Sequence, residues 1–193
     1  ACGRRAGGLR RLMLLHFLDG SELRAAELRR IVPALRFELA GLPVGYSTSA
    51  PEPAHRARDM VMAVDHDEPC FAEAVDLVTL EGRSLRLELD SETHNRFCRW
   101  FRETPVRMQL CVALRRERGA PLELFAGERL GHVPDKPAGA HTLGWDRLFV
   151  PDGEDLTLAE QAERIADGQE PVRDGLRVQI YGELARALGL APG

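Results

Sequence analysis

Apolar positions along this chain come in short blocks whose spacing switches between strand-like alternation and helix-like stagger. Residues 12–18 form an apolar run, broken only by His16, that reads as a buried first strand. Gly20 and Ser21 then turn the chain into a helix, with Ser21 as N-cap and Leu23, Leu28, Ile31 and Val32 on one face. A short second strand is read over 36–39, a Gly/Pro/Ser-rich loop over 41–53 and a helix over 54–64. Residues 69–73 are a short apolar run ending in an acid, and 78–89 carry Leu85, Leu87 and Leu89 in strand alternation. Asp90 and Ser91 are read as the cap of a helix that carries Phe97, Trp100 and Phe101. Residues 106–115 and 122–133 alternate strongly about Arg118, Gly119, Ala120 and Pro121, which marks a hairpin. A strand over 147–150, a helix over 158–166 and a closing helix over 178–190, ended by Gly189 and Pro192, complete the pattern. This order implies an α/β domain over residues 12–193, with no repeat and no linker.

Composition narrows the class. The chain has 193 residues, 44% of them hydrophobic and 29% charged, as expected of a soluble globular domain. No apolar run approaches the roughly 20 residues of a membrane span. Residues 1–11 are small, Gly-rich and basic without a following apolar region, which reads as a disordered leader and implies a cytoplasmic protein. A net charge of −4 without a basic stripe argues against a nucleic-acid partner. Cys2, Cys70, Cys98 and Cys111 lack metal-ligand spacing and read as free thiols. Of 26 basic residues only Lys136 is a lysine, so cationic chemistry here falls to arginine.

The run Leu143-Gly144-Trp145-Asp146-Arg147-Leu148-Phe149-Val150-Pro151-Asp152-Gly153, followed by Thr157-Leu158-Ala159-Glu160, carries more information than any other part of the chain. It resembles the base-pocket segment of the inosine/xanthosine triphosphate pyrophosphatases, in which Phe-Gly-Tyr/Trp-Asp-Pro-Ile-Phe-Val-Pro-(Asp/Glu)-Gly precedes Thr-Phe-Ala-Glu. Gln109-Leu110-Cys111-Val112-Ala113-Leu114 and Phe125-Ala126-Gly127-Glu128 with Gly131 are similar to two further strands of that family. The resemblance implies an elongated two-lobed domain whose central mixed sheet is flanked by helices. It also implies a homodimer, for which residues 80–102 offer the contact surface, and hydrolysis of a non-standard purine nucleoside triphosphate to monophosphate and pyrophosphate.

The family's phosphate loop, Thr-Gly-Asn-x-x-Lys, falls on Asp19-Gly20-Ser21-Glu22-Leu23-Arg24. Gly20, Ser21 and Arg24 are then the phosphate-binding candidates, although Asp19 and Glu22 place negative charge beside them. The same residues also read as an ordinary capped helix start. The family's carboxylate pair, one acid placing Mg2+ and the other activating water, falls on Glu73-Ala74-Val75-Asp76-Leu77. Glu73 matches the first acid, Ala74 replaces the base, and Asp76 is the candidate that takes over. Glu73 and Asp76 are thus the implied catalytic and metal-ligating residues. Asp65, His66, Asp67 and Glu68 read as a second metal candidate or a solvated loop. Leu143, Gly144, Trp145 and Asp146 form the implied base pocket, with Leu143 where the family stacks a Phe. Aligned on Gly182, the family's Ser-His-Arg-Gly falls on Gln179-Ile180-Tyr181-Gly182, which adds Tyr181 to the pocket. Two other readings stand beside hydrolysis: a catalytically degenerate nucleotide-binding or regulatory protein, and an enzyme acting on another phosphorylated small molecule.

Overall fold

The computed structural model describes residues 14–18, 20–47, 49–65, 67–85, 91–169, 171 and 175–190. The leader at 1–11 with Cys2, the start of the first apolar run, Asp19, His66, Leu87, Leu89 and Asp90 lie outside the described residues.

A six-stranded mixed sheet runs in the order β2-β1-β3-β4-β5-β6. Its strands are β1 (Leu15–Leu18), β2 (Phe37–Ala40), β3 (Cys70–Thr79), β4 (Pro105–Arg115), β5 (Glu123–His132) and β6 (Val150–Pro151). The helices are α1 (Glu22–Ile31), α2 (Pro53–Ala63), α3 (Ser91–Phe101), α4 (Leu158–Ala166) and α5 (Leu176–Ala187). β1 lies parallel to both β2 and β3, while β3 to β6 pair antiparallel. The register of β1 against β3 stops at Leu18 and Ala72. From Glu73 onward β3 therefore runs past the end of β1, and the candidate acids sit on this projecting part.

Strand alternation sorts β3 into two faces. Phe71, Val75 and Leu77 pack into the main core with α1 and α5, where Phe17 stacks on Phe71 at 4.6 Å. Cys70, Ala72 and Ala74 join Cys111 and Ala113 beneath Ala57 and Val61 of α2. Small side chains on that face let the helix lie close to the sheet. Burial pushes the thiols of Cys98 and Cys111 up to about 11, so both stay protonated and unreactive at neutral pH.

The structure corrects three readings of the pattern. In place of separate strands at 69–73 and 78–89 there is one strand, Cys70–Thr79, paired along its whole length with β4, and the chain turns after Thr79. Asp76 interrupts the apolar pattern without interrupting the backbone ladder, because its carboxylate is satisfied by side chains. Only Val150 and Pro151 of the strand read at 147–150 are extended, and the preceding stretch is a 3₁₀ segment, His141–Leu148. Pro151 has no N–H with which to lengthen a ladder. A Cβ at Gly131 would lie 2.3 Å from the Val150 carbonyl, so β6 pairs closely only against a glycine. Finally, α5 begins at Leu176, two residues before the reading at 178. It ends in a Schellman arrangement at Gly189 (φ 70°), with the Leu190 amide donating to the Ala185 carbonyl at 2.8 Å. No described helix is long and apolar enough to cross a membrane.

Candidate active site

α1 opens as its sequence dictates: the Ser21 hydroxyl accepts from the Arg24 amide at 3.2 Å and caps the helix. Arg24 then stands in the first turn with its guanidinium turned inward and buried. It donates to Glu27, one turn further along α1, and to Asp146, and its Nε lies 3.7 Å from Glu73. Asp146 reaches this point because the 3₁₀ segment breaks at Gly144 (φ 51°, ψ −117°), a backbone that a side chain would strain. The same break swings Trp145 onto Phe97, edge to face at 5.5 Å. A capping box at Thr157 and Glu160 starts α4, and its Ala159 and Ala162 pack under Leu143.

α5 supplies the other half. Arg177, buried at the start of the helix, donates through Nε and Nη2 to both oxygens of Glu73, the shortest contact being 2.8 Å. Its Nη2 also reaches Asp146 Oδ1 at 3.1 Å. One turn on, the Tyr181 hydroxyl donates to Glu73 Oε2 at 2.8 Å. Burial alone would raise the pKa of Glu73, but the charges of Arg177 and Arg24 and the donors around it hold it down at about 2. Burial would likewise lower Arg177, yet Glu73 and Glu27 raise it. Tyr181 is pushed well above its ordinary value by burial and the neighbouring carboxylate. At neutral pH Glu73 is thus a carboxylate, Arg177 a guanidinium and Tyr181 a neutral phenol. A carboxylate held near 2 is a fixed charge and a poor general base.

Gly20, Ser21, Arg24, Glu73, Leu143, Gly144, Trp145, Asp146 and Arg177 line one cavity of about 310 Å³. β1, α1, β3, the 3₁₀ segment and α5 therefore converge on it, as the residue pattern anticipated. Two site residues do not join it. Tyr181 is fully buried behind Glu73, with its ring against Phe71, and acts on the cavity only through that carboxylate. Asp76 lies three residues from Glu73 on β3 and faces the other way, toward α2. It accepts from Ser84 at 2.8 Å and from the Leu77 amide, and stands 3.6 Å from Arg56. It shares that face with Ala74, the position where the resemblance implies the base. Asp76 lines a separate and larger cavity of about 620 Å³, together with Glu52, Ser84, Gln109 and Glu128. Size does not locate the site here; the converging charged residues of the smaller cavity do.

A magnesium ion shared between Glu73 and Asp76 does not fit this geometry. Their carboxylates point to opposite faces of the sheet, and each has a guanidinium within 4 Å. Both oxygens of Glu73 are taken by donors. Magnesium requires open oxygen ligands in near-octahedral array. Among the described residues no group of three or more His, Cys, Asp or Glu is arranged to hold a metal.

Arg177, Glu27 and Arg56 were not among the residues singled out from the sequence. Arg177 is four residues, about one helical turn, before Tyr181, so shifting the alignment of Ser-His-Arg by one turn places it on Gly175-Leu176-Arg177. Such a shift keeps the helix face and is invisible to periodicity. The start of α5 at Leu176 is what identifies it.

Residues 90–167, which include α3, the β4–β5 hairpin, the 3₁₀ segment and α4, match the model of the Ham1 family. Over this segment, less than half of the chain, the protein is similar to the Ham1 family. The fold agrees over nearly the whole chain. A HAM1 protein from Coxiella burnetii superposes with a TM-score of 0.63 at 13% identity, covering 92% of this chain and 98% of that one. The Staphylococcus aureus Ham1 protein gives 0.56 at 14% identity, covering 91% and 98%. Sequence similarity is concentrated in short stretches. A dITP/XTP pyrophosphatase from Bdellovibrio bacteriovorus is 49% identical over 37 residues, which is 19% of each chain. One from Methanopyrus kandleri is 41% identical over 44 residues, 23% of each chain. The matched segments thus span about a fifth of the length of these curated relatives.

Proposed function

We propose that this protein is a member of the Ham1 family and a nucleoside triphosphate pyrophosphatase that takes a non-standard purine nucleotide into the cavity between α1, β3 and α5. The observation that carries this reading is the convergence on one cavity of the phosphate-loop residues Gly20, Ser21 and Arg24 with the base-pocket residues Leu143 to Asp146. The N-terminus of α1 adds a positive dipole end and backbone amides, which suit a phosphate. Arg177 adds a donor that sequence alignment had missed. Its Nε and Nη2 are spent on carboxylates, while Nη1 has no acceptor among the described residues and is free to meet an oxo group or a phosphate oxygen. Leu143 offers apolar contact in place of ring stacking, which lowers base affinity by part of the roughly 1–3 kcal/mol that stacking contributes. Glu73 serves as a fixed charge in this cavity, while Asp76 lines the separate one on the α2 side. The pyrophosphatase names of two relatives favour hydrolysis over a degenerate binding role.

The test is pyrophosphate release from a panel of nucleoside triphosphates with and without magnesium. Release is expected from hydroxypurine triphosphates, and Arg24→Met is expected to lower kcat/KM at least a hundredfold, about 2.7 kcal/mol of transition-state binding. Folded wild-type protein that releases pyrophosphate from no triphosphate would overturn the reading.

A homodimer and a cytoplasmic location belong to the same proposal. Leu80 and Trp100, within the surface at 80–102, are apolar and 49% and 64% exposed, which supports a contact there. Sedimentation should show a dimer that Trp100→Ser dissociates; a monomeric wild type at high concentration would remove this part.

A further inference from the structure

The family resemblance gives Glu73 to a divalent cation, but its surroundings in this chain are those of an anchored carboxylate. Arg177 grips it in fork geometry through Nε and Nη2, Tyr181 donates to its second oxygen, and Arg24 closes a third side at 3.7 Å. Asp146 repeats the arrangement, taking Arg24 on one oxygen and Arg177 on the other, with the residue 1% exposed. A hydrated dication entering here would have to displace two guanidiniums from buried carboxylates and then find ligands in a field already occupied by positive charge. Planar, bidentate arginine is well matched to hold such carboxylates and does not lose its proton.

We propose that the carboxylates of this site hold arginines and not a metal ion: Glu73 and Asp146 are positioning residues that fix Arg24 and Arg177 in the cavity wall. The inference rests on the nucleotide reading only for what those arginines meet. In this arrangement Glu27 completes the frame, because it holds the remaining terminal nitrogen of Arg24 from within the same helix. Arg24 is thus fixed from α1, β3 and the 3₁₀ segment at once, and Arg177 from β3 and the 3₁₀ segment. The wall keeps its shape in the free protein.

Titration of the free protein with Mn2+, read by electron paramagnetic resonance, tests this directly. Wild type and Glu73→Gln are expected to give superimposable curves with only weak, nonspecific binding. Arg177→Gln, which uncovers Glu73 and Asp146, is expected to gain a Mn2+ site at least tenfold tighter than wild type, and the Arg177→Gln/Glu73→Gln double variant to lose it. Where Arg177→Gln fails a circular-dichroism check of folding, Arg177→Lys, which keeps the charge and loses the fork, takes its place. One tight Mn2+ per wild-type chain that weakens tenfold or more in Glu73→Gln would overturn the proposal. In the pyrophosphate assay, a positioning role predicts that Glu73→Gln raises KM while the magnesium concentration at half-maximal rate stays put; a tenfold rise in that concentration marks a metal ligand and overturns it. Absence of any pyrophosphate release, with the Mn2+ results as expected, removes the pyrophosphatase reading and leaves this assignment standing.

Discussion

Replacing Arg177 by methionine is expected to lower the unfolding free energy at pH 7 by about 3–5 kcal/mol, the usual effect of deleting one member of a buried ion pair. The magnitude follows from what stays behind. Glu73 and Asp146 would remain buried and short of the guanidinium that now lies within 3.3 Å of both. Neither is placed to turn to solvent, because Glu73 is held by Tyr181 and Asp146 is fully buried. An exposed pair offers the contrast. Arg102 and Asp135 are 2.5 Å apart but 65% and 58% exposed. Arg102→Met should therefore cost less than about 1 kcal/mol, as surface pairs do. Urea unfolding followed by tryptophan fluorescence measures both variants on one scale. Equal small losses would show that water reaches and screens the Glu73 cluster, and would undercut the buried frame described above.

Stability should also fall steeply in acid, and Glu73 should account for a distinct share of the fall. Its pKa lies at about 2 in the folded chain against an ordinary 4.5. A carboxylate whose folded pKa is depressed adds stability that is fully present above the unfolded value and is lost as pH drops through the folded one. The window is thus from about pH 4.5 down to about pH 2. At 1.36 kcal/mol per pH unit the contribution is on the order of 3 kcal/mol. In Glu73→Gln this segment of the pH profile should flatten, although the variant is less stable at neutral pH. Unfolding free energies measured from pH 7 to 2 on both proteins check it. Parallel profiles would mean that the carboxylate titrates at an ordinary value and that the arginines are not bound to it.

Both predictions depend on partners that the sequence could not pair. Ser21 as a cap, the helix behind it, the β4–β5 hairpin and the capping box at Thr157 were legible because each depends on residues a few positions apart. The resemblance to the family was legible for a related reason: residues 143–153 keep their local run within the matched segment. The residues read as phosphate loop and, Tyr181 apart, as base pocket line one cavity, since the order of elements carries them there. Register was the weak point. Tyr181 was chosen where Arg177 stands because a one-turn slip along α5 leaves the amphipathic pattern unchanged. The split of β3 into two strands had a different cause: the first run was read as ending in the acid Glu73, whereas the pairing that continues the strand comes from β4, as between Ala74 and Cys111.

By itself, the sequence determined most of the elements, the cap of α1 and several of the side chains that line the cavity. Those outcomes rest on short-range propensity and on the spacing of apolar positions. Only the tertiary structure decided that Glu73 and Asp76 are on opposite faces of one strand, and that Glu73 is enclosed by Arg24, Arg177 and Tyr181. Alternation is exact along a strand, but its phase is set by which face meets α2 and which meets α5. The charge state and partners of a carboxylate are set by the distance to groups up to 108 positions away, and that distance exists only in the folded chain.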